Sequence, residues 1–298
     1  RYEASRGPGS TADVDFWKKS GLPLKQVVSL QGTLLPVTFG EGPFTSLDPA
    51  AAQAAYDQLA GQHLKKARAR VVELLAEAGA GVGEPRPTKQ FVKFYEKGDR
   101  PLEFVSSRQW FIRLLEHKEK LLEMSRKIEW HPSHMRLRVE HWIEGLNQDW
   151  AVSRQRYFGV AFPVWYPVKE DGQPDHEHPL YASKESLPVD PLSDVPPGYT
   201  EAQRNQPGGF TGDPDVMDTW ATSSMSPQIM SHWGIDPKRH GRLFPMDVRP
   251  QAHEIIRTWA FYTIVKAWMH EDTIPWKNVT ISGWILDPDR KKMSKSRG

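Results

Sequence analysis

The chain contains no cysteine and no long hydrophobic run. The absence of cysteine excludes disulfide bonds, thiolate zinc sites, iron–sulfur clusters and a cysteine nucleophile. A membrane-spanning helix needs about 18 or more consecutive apolar residues, and the sequence has no such stretch. The net charge is only +2, because 39 Lys and Arg nearly balance 37 Asp and Glu. That balance argues against a protein that coats DNA, and it permits a local contact with nucleic acid.

Tryptophan and proline are abundant, with 12 Trp and 25 Pro among 298 residues. A buried indole N–H needs a hydrogen-bond partner and proline has no amide N–H, so these counts favour aromatic pockets and a loop-rich surface. The length favours about two domains. The first ten residues have neither the hydrophobic segment of a secretory signal nor the pattern of a transit peptide, so we expect a cytoplasmic protein.

The N-terminal third combines predicted strands with one long predicted helix. Short apolar runs over 27–30 and 34–39, broken by Gly and Pro, predict short strands and turns. Asp48 and Pro49 have the residue types of an N-cap and a first helical turn, and the helix is predicted to continue to Gly79.

A domain boundary is predicted where this pattern ends. Strand-like segments at 91–94 and 104–105 predict a β-hairpin, and helical spacing resumes over 107–128. We therefore predict two domains, 1–105 and 106–298.

The second predicted domain mixes helices and strands. A helix over 136–146 precedes a strand over 160–168, and a polar, Pro-rich irregular insertion follows over 169–207. Segments 244–248 and 279–286 are typical of buried strands, and the spacing between them predicts a helix. Strand, helix and strand in succession form a βαβ unit, so the predicted fold class is α/β with a parallel sheet.

The last eight residues, KKMSKSRG, directly follow the second strand of that unit. The ammonium groups of Lys292 and Lys295 and the hydroxyls of Ser294 and Ser296 suit a polyphosphate whose negative charge grows as pyrophosphate leaves. On composition alone, a solvated basic tail is the alternative interpretation.

Three further segments carry unusual combinations of residues. They are WAVSRQRYFGVAFPVW at 150–165, GDPDVMDTWATSSMSP at 212–227 and QAHEIIRTW at 251–259. The last follows the first strand of the βαβ unit, and open α/β sheets bind ligands at the carboxyl ends of their strands. Ordinary turns and a packed core helix are the alternatives for these segments.

The blocks Ser-Arg-Gln, Asp-Thr-Trp, Arg-Thr-Trp and Lys-Met-Ser-Lys-Ser, in this order, resemble the class I aminoacyl-tRNA synthetases, and most closely the valyl type. The resemblance extends over 11–298. It implies the second half of a class I Rossmann-type parallel-sheet catalytic domain, preceded by the C-terminal part of a β-rich connective (editing) module. It also implies that the chain is a fragment of a longer enzyme. An isoleucyl-type synthetase and a non-catalytic relative that binds tRNA or protein are the alternatives.

The implied reaction is the ATP-dependent activation of L-valine and its transfer to tRNA(Val), with editing of mischarged tRNA. Mg²⁺ would accompany ATP, and we expect a monomer that does not bind membranes. No zinc is expected, because many relatives have a cysteine pair after the strand that ends near Trp165 and this chain has none.

The resemblance also implies roles for individual residues. The expected catalytic residues are Lys292, Ser294, Lys295 and Ser296, and the expected contacts with ATP or the adenylate are Gln251, Glu254, Lys292 and Lys295. The expected amino-acid pocket consists of Asp218, Trp220, Ile255 and Trp259. Asp13 matches an aspartate of the editing module that holds the amino group of a misacylated residue.

The sequence departs from the family pattern at several positions. The first signature of the class, His-x-Gly-His, does not occur, so we expect the chain by itself to be inactive. Ala252 and Glu254 stand where relatives usually have Gly and Asp. The paired histidines at 131–134 and 176–178 lack the intervening Gly and are expected to be structural or surface residues.

Overall fold

A computed structural model of the chain describes residues 2–5, 16–17, 19–81, 83, 105–283, 286–291 and 293. The first strand of the predicted hairpin, 91–94, lies outside the described residues. The chain divides into two compact units, the first over Glu3–Arg108 and the second over Gln109–Gly298 with Arg1–Tyr2. None of the described helices is long and apolar enough to cross a membrane.

Over the described residues 48–79 of the first unit, the structure has two helices where the sequence predicted one. Strand β1 spans Tyr2–Ser5, helix α1 spans Pro49–Asp57 and helix α2 spans Leu64–Glu77. Asp48 caps α1 as predicted, because its carboxylate accepts from the Ala51 amide at 3.0 Å. The helix ends early because the chain turns at Gly61, which has a φ of +75°.

The strands predicted over 27–30 and 34–39 are wrong. Isolated bridges join Val28 to Leu34 and Thr33 to His63. The described residues of this region form no ladder longer than a single bridge. The chain reverses tightly between Val28 and Leu34. The hydroxyls of Ser29 and Thr33 hydrogen-bond at 2.8 Å across this turn. These short polar contacts replace the pairing that a strand would need.

The elements that follow alternate between strands and helices at the beginning and at the end, and between these parts lie six short strands followed by three helices. In chain order they are β2 (Ser107–Ile112), α3 (Lys118–Arg126), β3 (Glu129–His131), α4 (Arg136–Glu144), β4 (Trp150–Ala151), β5 (Ser153–Arg154), β6 (Val164–Pro167), β7 (Leu180–Tyr181), β8 (Phe210–Gly212), β9 (Val216–Met217), α5 (Thr219–Ser223), α6 (Ser226–Ser231), α7 (Pro237–Leu243), β10 (Met246–Ala252), α8 (Phe261–Glu271) and β11 (Trp276–Ser282). The helix predicted to begin at residue 107 is wrong, because Phe111 and Ile112 pair with Ala151 and Trp150 of β4.

A parallel sheet of order β10, β11, β3 organises the second unit. The predicted βαβ order and the α/β fold class are confirmed, although both strands are displaced from their predicted bounds. Strand β10 runs through Pro250 because it lies at an edge of the described sheet, where a missing amide donor is tolerated. Helix α8 begins only at Phe261, after a 3₁₀ turn over His253–Ile255 and a π-helical turn over Ile256–Ala260.

The hydrophobic core lies between this sheet and the helices α3, α4 and α8. Its fully buried side chains include Leu121, Met124, Ile143, Ile256, Ile264 and Val279. The Pro-rich insertion is anchored to the same unit, because the Trp165 indole donates to the carbonyls of Pro191 at 3.1 Å and Asp194 at 3.0 Å.

Candidate functional site

The carboxyl ends of the three parallel strands meet at one edge of the sheet. The register pairs Gln251 with Ile281, and it pairs Thr280 with both Pro250 and His131. A cavity of about 470 Å³ opens at this edge, lined by His131, Pro250, Gln251, Ala252, Thr280, Ile281 and Ser282. The edge is therefore where the fold can receive a ligand.

Gln251 brings an unused hydrogen-bond acceptor to this cavity. Its side chain is 7% exposed, and its Nε2 donates to the Ala252 carbonyl at 3.4 Å. Its Oε1 is buried and has no hydrogen-bond partner among the described residues. Because a buried polar atom without a partner costs free energy, a ligand that donates to this oxygen would be stabilised here. Glu254, by contrast, is exposed in the 3₁₀ turn that follows β10.

The π-helical turn connects this edge to helix α5. Trp259 in the turn is 7% exposed, and its indole Nε1 donates to the Ser223 carbonyl at the end of α5 at 3.0 Å. Trp220 on α5 and Ile255 are partly buried against the same core. π-Turns widen a helix locally and are frequent at functional sites. The structure thus links the Asp-Thr-Trp and Arg-Thr-Trp segments through one hydrogen bond.

The indole of Trp259 is packed against two side chains. The guanidinium carbon of Arg249 lies 3.3 Å from the ring centroid, and the Trp276 ring lies at 5.3 Å with an interplanar angle of 36°. Sequence analysis did not single out Arg249. It stands two residues before Gln251 in a strand, hence on the same face of the sheet, and that period of two is the signal that could have found it.

Asp218 joins the Ser-Arg-Gln and Asp-Thr-Trp segments. It is 5% exposed, and its Oδ2 accepts from Arg154 at 2.8 Å and from the Trp150 indole at 3.4 Å. Its Oδ1 caps α5 by accepting from the Trp220 amide at 3.2 Å. Trp150 in turn stacks on Tyr262, with 3.7 Å between centroids, and burial raises the pKa of Tyr262. The carboxylate therefore fixes the position and direction of the helix that carries Trp220.

Asp213 and Asp215 are buried acids that organise the strand connection before α5. Asp213 is 2% exposed and accepts from the Trp110 indole and the Tyr166 hydroxyl, both at 2.7 Å. Asp215 accepts from Gln155 at 3.0 Å. Burial raises the pKa of Asp215, and the hydrogen bond from Gln155 opposes that change. The hydrogen bonds of these two acids therefore connect β6, the end of β8 and the Ser-Arg-Gln segment.

We expect Asp213→Ala to lower the free energy of unfolding by about 2 to 4 kcal/mol, because the buried Tyr166 hydroxyl and the partly buried Trp110 indole lose their charged acceptor. The matched control is Asp247→Ala, since Asp247 is exposed and its ion pair with Lys277 is a surface contact of 2.8 Å. The control is expected to change stability by less than about 0.5 kcal/mol. Urea unfolding of the three proteins measures both values. Equal losses for the two variants would contradict a structural role of Asp213.

Several expected site residues lie outside the described residues: Asp13, Lys292, Ser294, Lys295 and Ser296. The segment before the loop is described and forms a turn, in which the Lys291 amide donates to the Asp287 carboxylate at 2.7 Å. This turn follows β11, whose last residues line the cavity edge. In the described part of the chain, no three or more His, Cys, Asp or Glu side chains form a group that could hold a metal ion.

A family model and curated relatives both match the chain, and both are aminoacyl-tRNA synthetases. Residues 10–298 match the family described as tRNA synthetases class I (I, L, M and V). The chain is 51% identical over 294 residues to the valine–tRNA ligase of Thermobifida fusca, covering 97% of the chain and 33% of that relative. It is 52% identical over 294 residues to the valine–tRNA ligase of Salinispora tropica, covering 97% of the chain and 34% of that relative. The chain thus spans about a third of the length of these curated relatives.

A search of solved structures finds a weaker likeness. A Mycobacterium tuberculosis methionyl-tRNA synthetase in complex with methionyl-adenylate matches at 17% identity and a TM-score of 0.42, covering 69% of this chain and 31% of that one.

Proposed function

The chain belongs to the class I aminoacyl-tRNA synthetases of the isoleucyl, leucyl, methionyl and valyl group, and we propose that it supplies the amino-acid pocket and the pyrophosphate-binding loop of a valine–tRNA ligase. The complete enzyme would join L-valine and ATP into valyl-adenylate and pyrophosphate, and then transfer the valyl group to tRNA(Val). One observation carries this proposal. The cavity with the unused Gln251 acceptor lies at the edge where β11 ends, and the KMSKS segment follows β11 in the sequence.

The nucleotide would be bound from two directions. Gln251 and Glu254 would contact the nucleotide or the aminoacyl group at the strand edge. Lys292 and Lys295 would stabilise the departing pyrophosphate, because their ammonium groups act where negative charge develops in the transition state. Mg²⁺ would arrive with ATP, as part of the substrate.

The amino-acid side chain would meet Trp220, Ile255 and Trp259. A cavity narrowed by two indoles can exclude isoleucine by size, whereas it rejects threonine only weakly, because a hydroxyl added in an apolar pocket changes affinity little. That limit explains the need for editing. We propose that 1–105 is the C-terminal part of the editing module, and that Asp13 holds the ammonium group of a misacylated residue there.

A segment exchange tests the proposal. In the Thermobifida fusca ligase, the 294 aligned residues would be replaced by those of this chain to give the exchanged ligase. We expect valine-dependent exchange of pyrophosphate into ATP and valylation of tRNA(Val). An exchanged ligase that is folded, binds tRNA(Val) and activates no amino acid would instead support a non-catalytic relative, and activation of isoleucine in preference to valine would support the isoleucyl type.

Trp259→Leu in the exchanged ligase is expected to raise the ratio of kcat/KM for isoleucine to kcat/KM for valine by about tenfold. The missing ring opens space for one methylene, whose fit is worth about 1 to 3 kcal/mol. Threonine discrimination should change much less. The control is Trp268→Leu on α8, because Trp268 packs against His117 at 5.0 Å instead. The same ratio in both variants would mean that Trp259 only fills the core.

A further inference from the structure

Arg249 has an unusual position for a cation. It lies in β10 opposite Val279, which is fully buried in β11. Its guanidinium carbon lies 3.3 Å from the centroid of the Trp259 ring, which is van der Waals contact with the face of the indole. A guanidinium over an indole face is attracted by the ring quadrupole, and the attraction strengthens as both groups lose water.

Among the described residues, the contact with Trp259 is the interaction that the structure gives the Arg249 side chain. Its Nε is buried and has no hydrogen-bond partner in the described part of the chain. The neighbouring acid in β10, Asp247, is engaged by Lys277 at 2.8 Å. Burial lowers the pKa of Arg249, since desolvation disfavours the charged form. A partly buried cation with no paired carboxylate among the described residues is unfavourable, so the contact with Trp259 offsets part of the cost of its position.

Trp259 is fixed by three contacts of different kinds. Its Nε1 donates to the Ser223 carbonyl at 3.0 Å, its ring packs against Trp276, and Arg249 covers a face of the ring. The guanidinium is the contact that covers the face of the ring, so a tilt of the indole would break it.

On the basis of the function proposed above, we propose that Arg249 is a positioning residue that holds the indole of Trp259 in place as a wall of the amino-acid pocket. Arg249 acts on the substrate through Trp259. Without it, the indole can tilt, so the pocket loses both its fit to valine and part of its exclusion of larger side chains.

Kinetics of the exchanged ligase provide the first test, with Arg249→Met, Arg249→Lys and the matched control Arg257→Met. Arg257 lies in the π-turn, with its guanidinium carbon 5.7 Å from the Trp142 ring. For Arg249→Met we expect KM for valine to rise about 5- to 10-fold with kcat within about threefold of the unmodified value, and the isoleucine-to-valine ratio to rise. Arg249→Lys keeps the charge without the planar group and should recover part of the loss. Arg257→Met should leave all three parameters unchanged.

Hydrogen exchange of the indole provides the second test, and it uses the 298-residue chain. The ¹⁵N-labelled chain is compared with its Arg249→Met and Arg257→Met variants, and the Trp259 signal is assigned from its loss in Trp259→Phe. We expect the Trp259 Nε1 proton to exchange about tenfold faster in Arg249→Met alone.

The outcomes separate this inference from the function on which it rests. Unchanged indole exchange in Arg249→Met overturns the positioning role. A fall of kcat by the same factor as kcat/KM, together with a lower Tm, also overturns it, because that result would indicate a general role in packing. If the exchanged ligase fails to activate valine before any substitution, the proposed function fails, and the indole measurement alone decides whether Arg249 holds Trp259.

Discussion

The purified 298-residue chain is expected to form no measurable valyl-adenylate, whereas the exchanged ligase forms it readily. The sequence contains KMSKS and lacks His-x-Gly-His, so one half of the residues that stabilise the transferring phosphate in this family is not present. Residues that act together on one transition state have strongly non-additive effects. The KMSKS residues alone are therefore not expected to retain half of the rate enhancement for adenylate formation.

The measurement is valine-dependent exchange of pyrophosphate into ATP at equal molar concentrations of the two proteins. Thermal unfolding of the isolated chain serves as the control that it is folded during the assay. Robust exchange by the isolated chain would contradict the division of the phosphate site between two halves of the domain.

Lys295→Ala in the exchanged ligase is expected to lower the rate of adenylate formation about 100-fold or more while the affinity for valine stays nearly constant. An ammonium group that meets the pyrophosphate matters most as negative charge develops, so its removal raises the barrier more than it weakens substrate binding.

Lys291→Ala is the matched control, four residues earlier in the same segment. Among the described residues, the Lys291 ammonium pairs with Asp289 at 3.6 Å, and exposed pairs of this kind contribute little. Its substitution should change the rate less than about twofold. Pre-steady-state formation of adenylate and equilibrium binding of valine give the two quantities. Equal losses of rate and valine affinity in Lys295→Ala would indicate docking of the loop in place of charge stabilisation.

Hydrogen bonds connect three of the family blocks in this structure. Arg154 of the Ser-Arg-Gln block bonds to Asp218 of the Asp-Thr-Trp block at 2.8 Å, and Asp218 caps the helix that carries Trp220. Trp259 of the Arg-Thr-Trp block then bonds to the end of that helix. Loss of any of these hydrogen bonds would therefore move the residues proposed to contact the amino acid.

The sequence predicts the parallel βαβ unit well, because two short hydrophobic segments separated by a helix leave few other arrangements. The position of Gln251 at a strand end follows from the same pattern. The helix predicted at residue 107 fails because Trp110 and its apolar neighbours have spacings that fit both helix and strand, and only pairing with β4 decides between them. The division of the long helix depends on a turn at Gly61 that tertiary contacts stabilise.

The sequence carries no local signal for the π-helical turn, and for Arg249 it carries only the period of two that places this residue on the same face of the strand as Gln251. No residue pattern marks the π-helical turn in the sequence, because the turn depends on the hydrogen bond that the Trp259 indole donates to the Ser223 carbonyl across the core. Arg249 was missed because arginine in a strand is normally expected to be exposed and paired with an acid. Its contact with an indole from a segment ten residues later appears only when the turn brings the two side chains together.

A crystal structure of the exchanged ligase with a non-hydrolysable valyl-adenylate analogue would test the central claim most directly. The account predicts that the adenylate lies at the carboxyl edge of the parallel strands, within hydrogen-bond distance of Gln251, and that the valine side chain contacts Trp220, Ile255 and Trp259. An analogue bound elsewhere, with this edge empty and those three side chains unchanged, would contradict it.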